Sequence, residues 1–212
     1  MGRVSKEQAR ENRRRIVDTA SRLFREQGTD GVSVADLMKA AGLTHGGFYK
    51  HFDSKEALVD EATACAFDGV DEQLAARPAA DDRDGGVGVG GGGDGGTDPG
   101  VDPEAARRAF IAHYLSPEHR DDMAGGCPTA GLAVDMARGA AGSAARHTYV
   151  EGVRAFAQRM ATDDDNDDGD GDGDDGLVRL STMVGALILA RAVSGDPLSD
   201  ALLAAARAEV ST

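Results

Sequence analysis

Residues 44–58 read THGGFYKHFDSKEAL, and the pair Gly46-Gly47 decides how this stretch folds. Each glycine costs roughly 1 kcal/mol of helix stability relative to alanine. A helix over Thr44 to Phe52 would carry both glycines in its first turn, so bare backbone must have a use there. The alternative is that THGG is a loop and FYKHF a short strand or buried segment, because short apolar runs do not distinguish these structures.

The preceding residues favour the helical interpretation. Ser33 is suited to cap a short helix from Val34 to Ala41, whose apolar residues share one face, and Gly42 ends it. A helix of about eight residues, a glycine-containing turn and a second short helix is the spacing of a helix-turn-helix. Its second helix enters the DNA major groove with its amino-terminal end first. The glycine pair would then allow the backbone to approach the duplex closely.

This interpretation divides the residues of the second helix into those that pack inward and those that face DNA. Phe48 and Phe52 are four residues apart and are expected to pack inward. The remaining positions are expected to face DNA, with the first turn near phosphate and His45 near base edges. The predicted DNA-binding residues are Ser33, Thr44, His45, Gly46, Gly47, Tyr49, Lys50, His51 and Lys55.

Helical periodicity also continues on both sides of this motif. The first helix is expected from Ser5 to Gly28, and a capping pair of Asp53 and Glu56 is expected to open a helix that continues to about Arg77. No segment alternates convincingly like a β-sheet. The sequence therefore predicts an all-α fold with an amino-terminal helix-turn-helix head of three helices, residues 1–60, and a helical domain over 61–212.

The net charge of −14 would ordinarily argue against a nucleic-acid partner, but two segments carry it. Residues 81–102 and 163–176 are rich in aspartate and glycine, and we expect both to be disordered linkers. Acids and bases balance in the rest of the chain. No long apolar segment or signal peptide is evident, so we expect a cytoplasmic protein without a membrane partner.

Residues 13–62, from RRRIVDTASRLFREQG through AGLTHGGFYKHFDSKEALVDEA, resemble the DNA-binding region of the TetR family of bacterial transcriptional regulators. The resemblance implies a homodimer that binds a palindromic double-stranded operator and a carboxy-terminal domain that binds a small-molecule inducer. In such proteins, positions matching Thr44, Tyr49, His51 and Lys55 contact phosphates, while those matching His45, Gly46 and Lys50 occupy the base-reading side.

The carboxy-terminal half resembles one branch of that family more loosely, through YLSPEHRDDMAGGCPTAGLAVDMAR and MVGALILARAV. It implies a dimer interface made by the last two helices, over about 177–194 and 197–210, although an ordinary core helix remains the alternative. Bulky residues in predicted helices are candidates for the inducer pocket. With Cys127 they are Phe110, Tyr114, Met123, Met136, Tyr149, Phe156 and Met183.

Other functions stay open at this stage. Cys127 precedes Pro128 at a predicted helix start, which favours the thiolate and suggests a sensor of electrophiles or oxidants, with an inert buried cysteine as the alternative. The protein could also be an activator, or a metal-controlled regulator if His113, His119 and Cys127 converge. We predict neither a resident metal site nor a cofactor, and no catalytic motif supports an enzyme.

Overall fold

The computed structural model describes residues 6–75, 103–161 and 175–211. All regular secondary structure in these ranges is helical, which confirms the predicted all-α class. No helix within them is long and apolar enough to cross a membrane. In chain order the α-helices are α1 (Lys6–Gln27), α2 (Val34–Ala40), α3 (Lys55–Ala75), α4 (Pro103–Tyr114), α5 (Pro117–Asp121), α6 (Pro128–Gly131), α7 (Ala133–Arg138), α8 (Ala144–Met160), α9 (Asp175–Ala192) and α10 (Pro197–Val210).

Local sequence signals explain several helix ends. Gly28 follows α1 with φ of 75°, a left-handed conformation that glycine adopts without strain. Ser33 caps α2 as predicted, since its side chain accepts a hydrogen bond from the Asp36 N–H. Ser143 caps α8 in the same way through the Arg146 N–H.

The amino-terminal core is formed by α1, α2, α3 and the segment between α2 and α3. Ile16 and Phe24 of α1 pack with Leu37 of α2 and Leu58 of α3, and all four are almost completely buried. Burying one such side chain contributes about 1.5–3 kcal/mol relative to leaving it exposed. Residues from later helices join the same cluster, namely Leu132, Met136 and Ala145. The amino-terminal helices are therefore packed directly onto the rest of the chain.

A second core lies among α4, α8, α9 and α10. Its most deeply buried members include Ile111, Leu115, Met183, Leu187 and Leu203. Helices α9 and α10 run against each other along their lengths and are joined by a turn in which Gly195 has φ of 92° and Asp196 caps α10.

Two local predictions are wrong. Asp53 is predicted to cap α3, but the capping residue is Ser54, whose hydroxyl accepts a hydrogen bond from the Ala57 N–H. Ser54 lies three residues before that donor, which is the usual capping distance, whereas Asp53 lies four residues before it. Asp175 and Gly176 belong to α9 rather than to the predicted linker 163–176, since Gly176 is buried against the Ala157 carbonyl.

The other predicted segment boundaries stay predictions. The linker 81–102 and the remainder of 163–176 lie outside the described residues. The expected domain boundary at residue 60 falls inside α3, which is one continuous helix.

Candidate nucleic-acid interface and ligand cavity

The turn after α2 has the hydrogen bonds of a Schellman motif. The Leu43 N–H donates to the Met38 carbonyl at 2.8 Å and the Gly42 N–H donates to the Lys39 carbonyl at 3.0 Å. Gly42 has φ of 69°, which a residue with a Cβ rarely adopts. This turn stops α2 and redirects the chain into the next segment.

The next helix differs from the predicted one. Residues His45–Lys50 form a 3₁₀ helix, which we call the recognition segment, and Thr44 precedes it without a side-chain capping hydrogen bond. The Gly47 N–H donates to the Thr44 carbonyl at 2.9 Å, three residues back. Two consecutive glycines weaken an α-helix, so this tighter and shorter form fits the local sequence.

Aromatic packing fixes the orientation of the recognition segment. Phe48 is 0% exposed and its ring stacks on Phe52 with centroids 5.6 Å apart. The Arg13 guanidinium lies 4.5 Å from the Phe52 ring centroid and forms a two-pronged ion pair with Glu61 of α3. The end of the segment is thereby held between α1 and α3.

The opposite side of the recognition segment faces outward. Thr44, His45, Gly46 and Lys50 are exposed, and the Tyr49 side chain is 67% exposed although its ring edge contacts Phe48. An exposed tyrosine with adjacent cationic and imidazole groups offers hydrogen-bond donors suited to phosphate and base edges.

Neither packing within the protein nor backbone conformation requires glycine at positions 46 and 47. A Cβ at Gly46 would meet nothing within 4 Å, and one at Gly47 would make ordinary contacts of 3.5 Å to Met38 Cε and 3.7 Å to Thr44 Oγ1. Neither glycine has a positive φ. The protein's own packing therefore tolerates alanine at both positions.

The remaining predicted interface residues lie beside the recognition segment. Lys55 begins α3 and is partly buried. His51 is also partly buried, and burial together with the cations of Arg13 and Lys50 lowers its pKa. Ser33 is exposed, but its hydroxyl is already engaged, since it donates to the Asp36 carboxylate at 2.5 Å while capping α2.

A cavity of about 60 Å³ lies in the carboxy-terminal half of the chain. At roughly 10–15 Å³ per water molecule, this space holds several small groups. Three phenylalanines and a tyrosine contribute rings to its wall, and no carboxylate lines it. The lining residues are Phe67, Phe110, His113, Tyr114, His119, Gly125, Gly126, Cys127, Pro128, Thr129, Gly152, Phe156 and Arg159.

The predicted pocket residues divide into two groups. Phe110, Tyr114, Cys127 and Phe156 line the cavity. Tyr149 lies next to it, where its hydroxyl donates to the Thr129 carbonyl at 2.6 Å. Three predicted methionines do not line it: Met123 is largely exposed, Met136 packs in the amino-terminal core and Met183 is 0% exposed in the second core.

Two hydroxyl groups in the cavity wall lack hydrogen-bond partners within the part of the chain that the structure describes. The hydroxyls of Tyr114 and Thr129 are buried without a hydrogen-bond partner among the described residues. Burial and the neighbouring Cys127 raise the Tyr114 pKa well above its usual value, so this phenol stays protonated. Each unpaired buried group of this kind costs about 1–3 kcal/mol.

His119 has a structural role in the same wall. Its Nδ1 pairs with the Tyr114 carbonyl at 2.7 Å, and its Nε2 accepts from the Cys127 N–H at 3.2 Å. This pairing requires the neutral Nδ1–H tautomer, and burial lowers the His119 pKa. The His113 ring lies 5.7 Å from it, yet no set of three potential metal ligands converges anywhere in the described ranges.

Sequence reasoning missed Phe67 and Thr129. Phe67 lies beside the predicted inward stripe of α3, and its ring reaches the cavity because Gly152 of α8 leaves room for it. A Cβ at Gly152 would approach Phe67 Cε1 to 2.2 Å. Thr129 follows Cys127 by two residues, but nothing in its sequence context indicates that its hydroxyl is buried.

Comparison with known proteins supports the amino-terminal resemblance. Residues 16–62 match the model of the bacterial regulatory proteins of the tetR family. Over 61 residues the chain is 44% identical to the HTH-type transcriptional regulator AcrR of Shigella flexneri, a match that covers 29% of this chain and 28% of that protein. Over 54 residues it is 37% identical to IcaR, the negative regulator of the biofilm operon icaADBC in Staphylococcus aureus, covering 26% and 29%. The chain thus matches less than a third of the length of these relatives.

The fold comparison covers nearly the whole chain. A TetR transcriptional regulator from Chloroflexus aurantiacus superposes with a TM-score of 0.69 and 25% identity, over 97% of this chain and 94% of that chain. The carboxy-terminal helices therefore share their arrangement with a TetR regulator, although the sequence matches to AcrR and IcaR cover less than a third of this chain.

Proposed function

Because the chain is a member of the TetR family, we propose that it is a transcriptional repressor that releases its operator when a small molecule enters the cavity. One observation carries the DNA-binding part. Phe48 of the recognition segment and Phe52 just after it are buried in the amino-terminal core, and the other side of the segment exposes a polar surface with two glycines. The similarity of the amino-terminal region to IcaR, a negative transcriptional regulator, supports repression over activation.

The proposed roles are those that the family resemblance implies for these positions. Thr44, Tyr49, His51 and Lys55 hold the phosphate backbone on either side of the groove, which fixes orientation. His45 and Lys50 read base edges, where donors recognise guanine O6 and N7. Gly46 and Gly47 let the backbone come close. Ser33 contacts phosphate only if DNA displaces its bond to the Asp36 carboxylate.

We infer that the active form is a homodimer joined through α9 and α10. Exposed large apolar side chains concentrate on these two helices, a pattern typical of an interaction surface. They are Leu177, Val178, Ile188, Leu189 and Leu198. Two recognition segments related by a two-fold axis would read a palindromic operator with half-sites about 34–36 Å apart.

The cavity lining, which includes Arg159 and no carboxylate, suits a ring-bearing inducer with a hydrogen-bonding oxygen. The rings of Phe67, Phe110 and Phe156 offer apolar contact, while the unpaired hydroxyls of Tyr114 and Thr129 can bond such an oxygen if the wall opens. Both hydroxyl oxygens are buried, so a ligand can bond them only after a local rearrangement of the wall.

The DNA-binding proposal is tested by selecting duplexes from a random pool with the purified protein and measuring affinity by fluorescence anisotropy. We expect enrichment of an inverted repeat and a strong decrease in affinity with salt. A variant with Leu189→Glu should elute as a monomer and lose cooperative binding to the repeat. Absence of any enriched duplex at low ionic strength would refute the proposal.

A second candidate mechanism is release through the Cys127 thiol, which is favoured by its position in the cavity wall. Treatment with N-ethylmaleimide adds the thiol sulfur across the maleimide double bond, with the proton ending on the adjacent carbon. The protein with Cys65→Ala should then release DNA, whereas the same protein with an added Cys127→Ser should not. Retention of DNA after complete Cys127 labelling would exclude this mechanism.

A further inference from the structure

The loop of residues 122–127, between α5 and α6, is held by partly buried arginines from two distant helices. Arg25 of α1 donates from Nη1 to the Gly126 carbonyl at 2.8 Å and from Nε to the Ser21 carbonyl at 3.1 Å. Arg191 of α9 donates from Nε to the Arg120 carbonyl at 3.0 Å, just before the loop, and from Nη2 to the Asp122 carbonyl within it at 3.4 Å. The loop therefore joins the amino-terminal helices to α9.

The same loop forms part of the cavity wall through Gly125, Gly126 and Cys127. It is packed without spare room on its outer side. A Cβ on Gly126 would lie 2.5 Å from the Asp122 carbonyl oxygen and 2.6 Å from Arg191 Nη2. Any expansion of the cavity toward this wall must consequently shift the Gly126 carbonyl relative to the arginines that hold it.

Other polar contacts between the DNA-binding helices and the rest of the described chain lie away from the cavity. The Thr29 N–H and hydroxyl both donate to Asp135 Oδ1, at 2.6 Å and 2.5 Å, and the Ala145 N–H donates to Asp60 Oδ1 at 2.8 Å. None of these four residues lines the cavity. The Arg25 contact is thus the polar connection that a bound molecule would perturb directly.

We propose that Arg25 is a positioning residue that ties the orientation of the recognition segment to the 122–127 loop, so that filling the cavity reorients the DNA-binding helices through the Gly126 carbonyl. This inference rests on the proposed function. The Arg25 guanidinium donates to two backbone carbonyls, those of Ser21 and Gly126. Because a partly buried charged donor that loses its acceptor is costly, α1 follows the loop when the loop moves.

A double-mutant cycle tests this connection without a known inducer. Gly126→Ala forces the loop to shift, and Arg25→Gln removes the guanidinium fork while keeping a polar side chain. Affinity is measured by fluorescence anisotropy on a duplex selected from a random pool with the wild-type protein. We expect Gly126→Ala to change Kd at least fivefold in the wild-type background and less than twofold in the Arg25→Gln background.

Arg22→Gln provides the matched control, because Arg22 is an exposed arginine of the same helix. In that background Gly126→Ala should retain its full effect. If Gly126→Ala fails to fold, as judged by thermal melting, Gly125→Ala replaces it, since a Cβ there would meet the Asp122 carboxylate and disturb the same loop. A purely structural role for Arg25 would lower the melting temperature but leave the two effects on Kd additive.

The outcomes separate the two proposals. If the wild-type protein selects no duplex, the proposed function fails. If it binds DNA and the loop substitution has the same effect with and without the Arg25 fork, or has no effect in the wild-type background, DNA binding stands and the coupling is refuted.

Discussion

Substitution of Gly46 by alanine should separate the stability of the protein from its function. Gly46 has a negative or extended φ and empty space where a Cβ would lie, so alanine fits without strain. A glycine-to-alanine change at a compatible position stabilises a protein by about 0.4–1 kcal/mol. For a chain of this size that raises the melting temperature by about 1–4 °C. DNA affinity should nevertheless fall at least tenfold, equivalent to about 1.4 kcal/mol, because the added methyl group meets the duplex.

Thermal melting and fluorescence anisotropy on the selected duplex measure the two effects on the same preparation. Gly69→Ala is the matched control, since Gly69 lies in α3, a Cβ there would also meet nothing within 4 Å, and it is remote from the recognition segment. It should stabilise the protein without changing Kd. Unchanged DNA affinity in Gly46→Ala would show that close backbone approach is not the reason for the glycine pair. It would also refute the proposal that this side of the recognition segment faces the DNA.

Further substitutions test other parts of the site. Lys55→Ala should weaken binding to all duplexes similarly and reduce the slope of log K against log salt concentration by about 0.9. His45→Ala should instead relax the sequence preference at one base step. A sequence-specific effect of Lys55→Ala would contradict its assignment to phosphate. Phe48→Ala should destabilise the amino-terminal core by about 3–5 kcal/mol in urea unfolding, and a loss below 1 kcal/mol would contradict its burial. Because burial holds the His119 pKa below its usual value of about 6.5, the unfolded chain binds the proton first and unfolding free energy should fall as pH drops from 7.5 to 5. His119→Gln should reduce that fall, and an identical pH profile in both proteins would refute the neutral His119 assignment.

Features set by a few neighbouring residues were predictable from sequence. The helix ends at Gly28 and Gly42, the Ser33 cap and the helix start at Pro128 depend on local backbone chemistry, and all occur as expected. The inward position of Phe48 also followed from its spacing to the next phenylalanine.

Features set by distant contacts were not predictable in the same way. Whether the recognition segment is α or 3₁₀ depends on a small energy difference that tertiary packing decides. Met136 is a bulky helical residue like Phe156, yet it packs beside α1 because α7 lies against the amino-terminal core. The partly buried contacts of Arg25 and Arg191 with backbone carbonyls join residues 101 and 71 positions apart in sequence, and they have no local signature.

Helix α3 is one continuous helix that runs from the proposed DNA interface to the wall of the cavity. Lys55 lies at its DNA end, and Phe67, twelve residues on, presses against Gly152 in the cavity wall. At 1.5 Å per residue the arm between them is about 18 Å, so a tilt of about 5° around the Gly152 fulcrum moves its far tip by about 1.6 Å. Charged hydrogen bonds to phosphate tolerate only a few tenths of an ångström. Under the proposed mechanism, we expect a side chain larger than glycine at position 152 to displace Phe67 and weaken DNA binding even without an inducer.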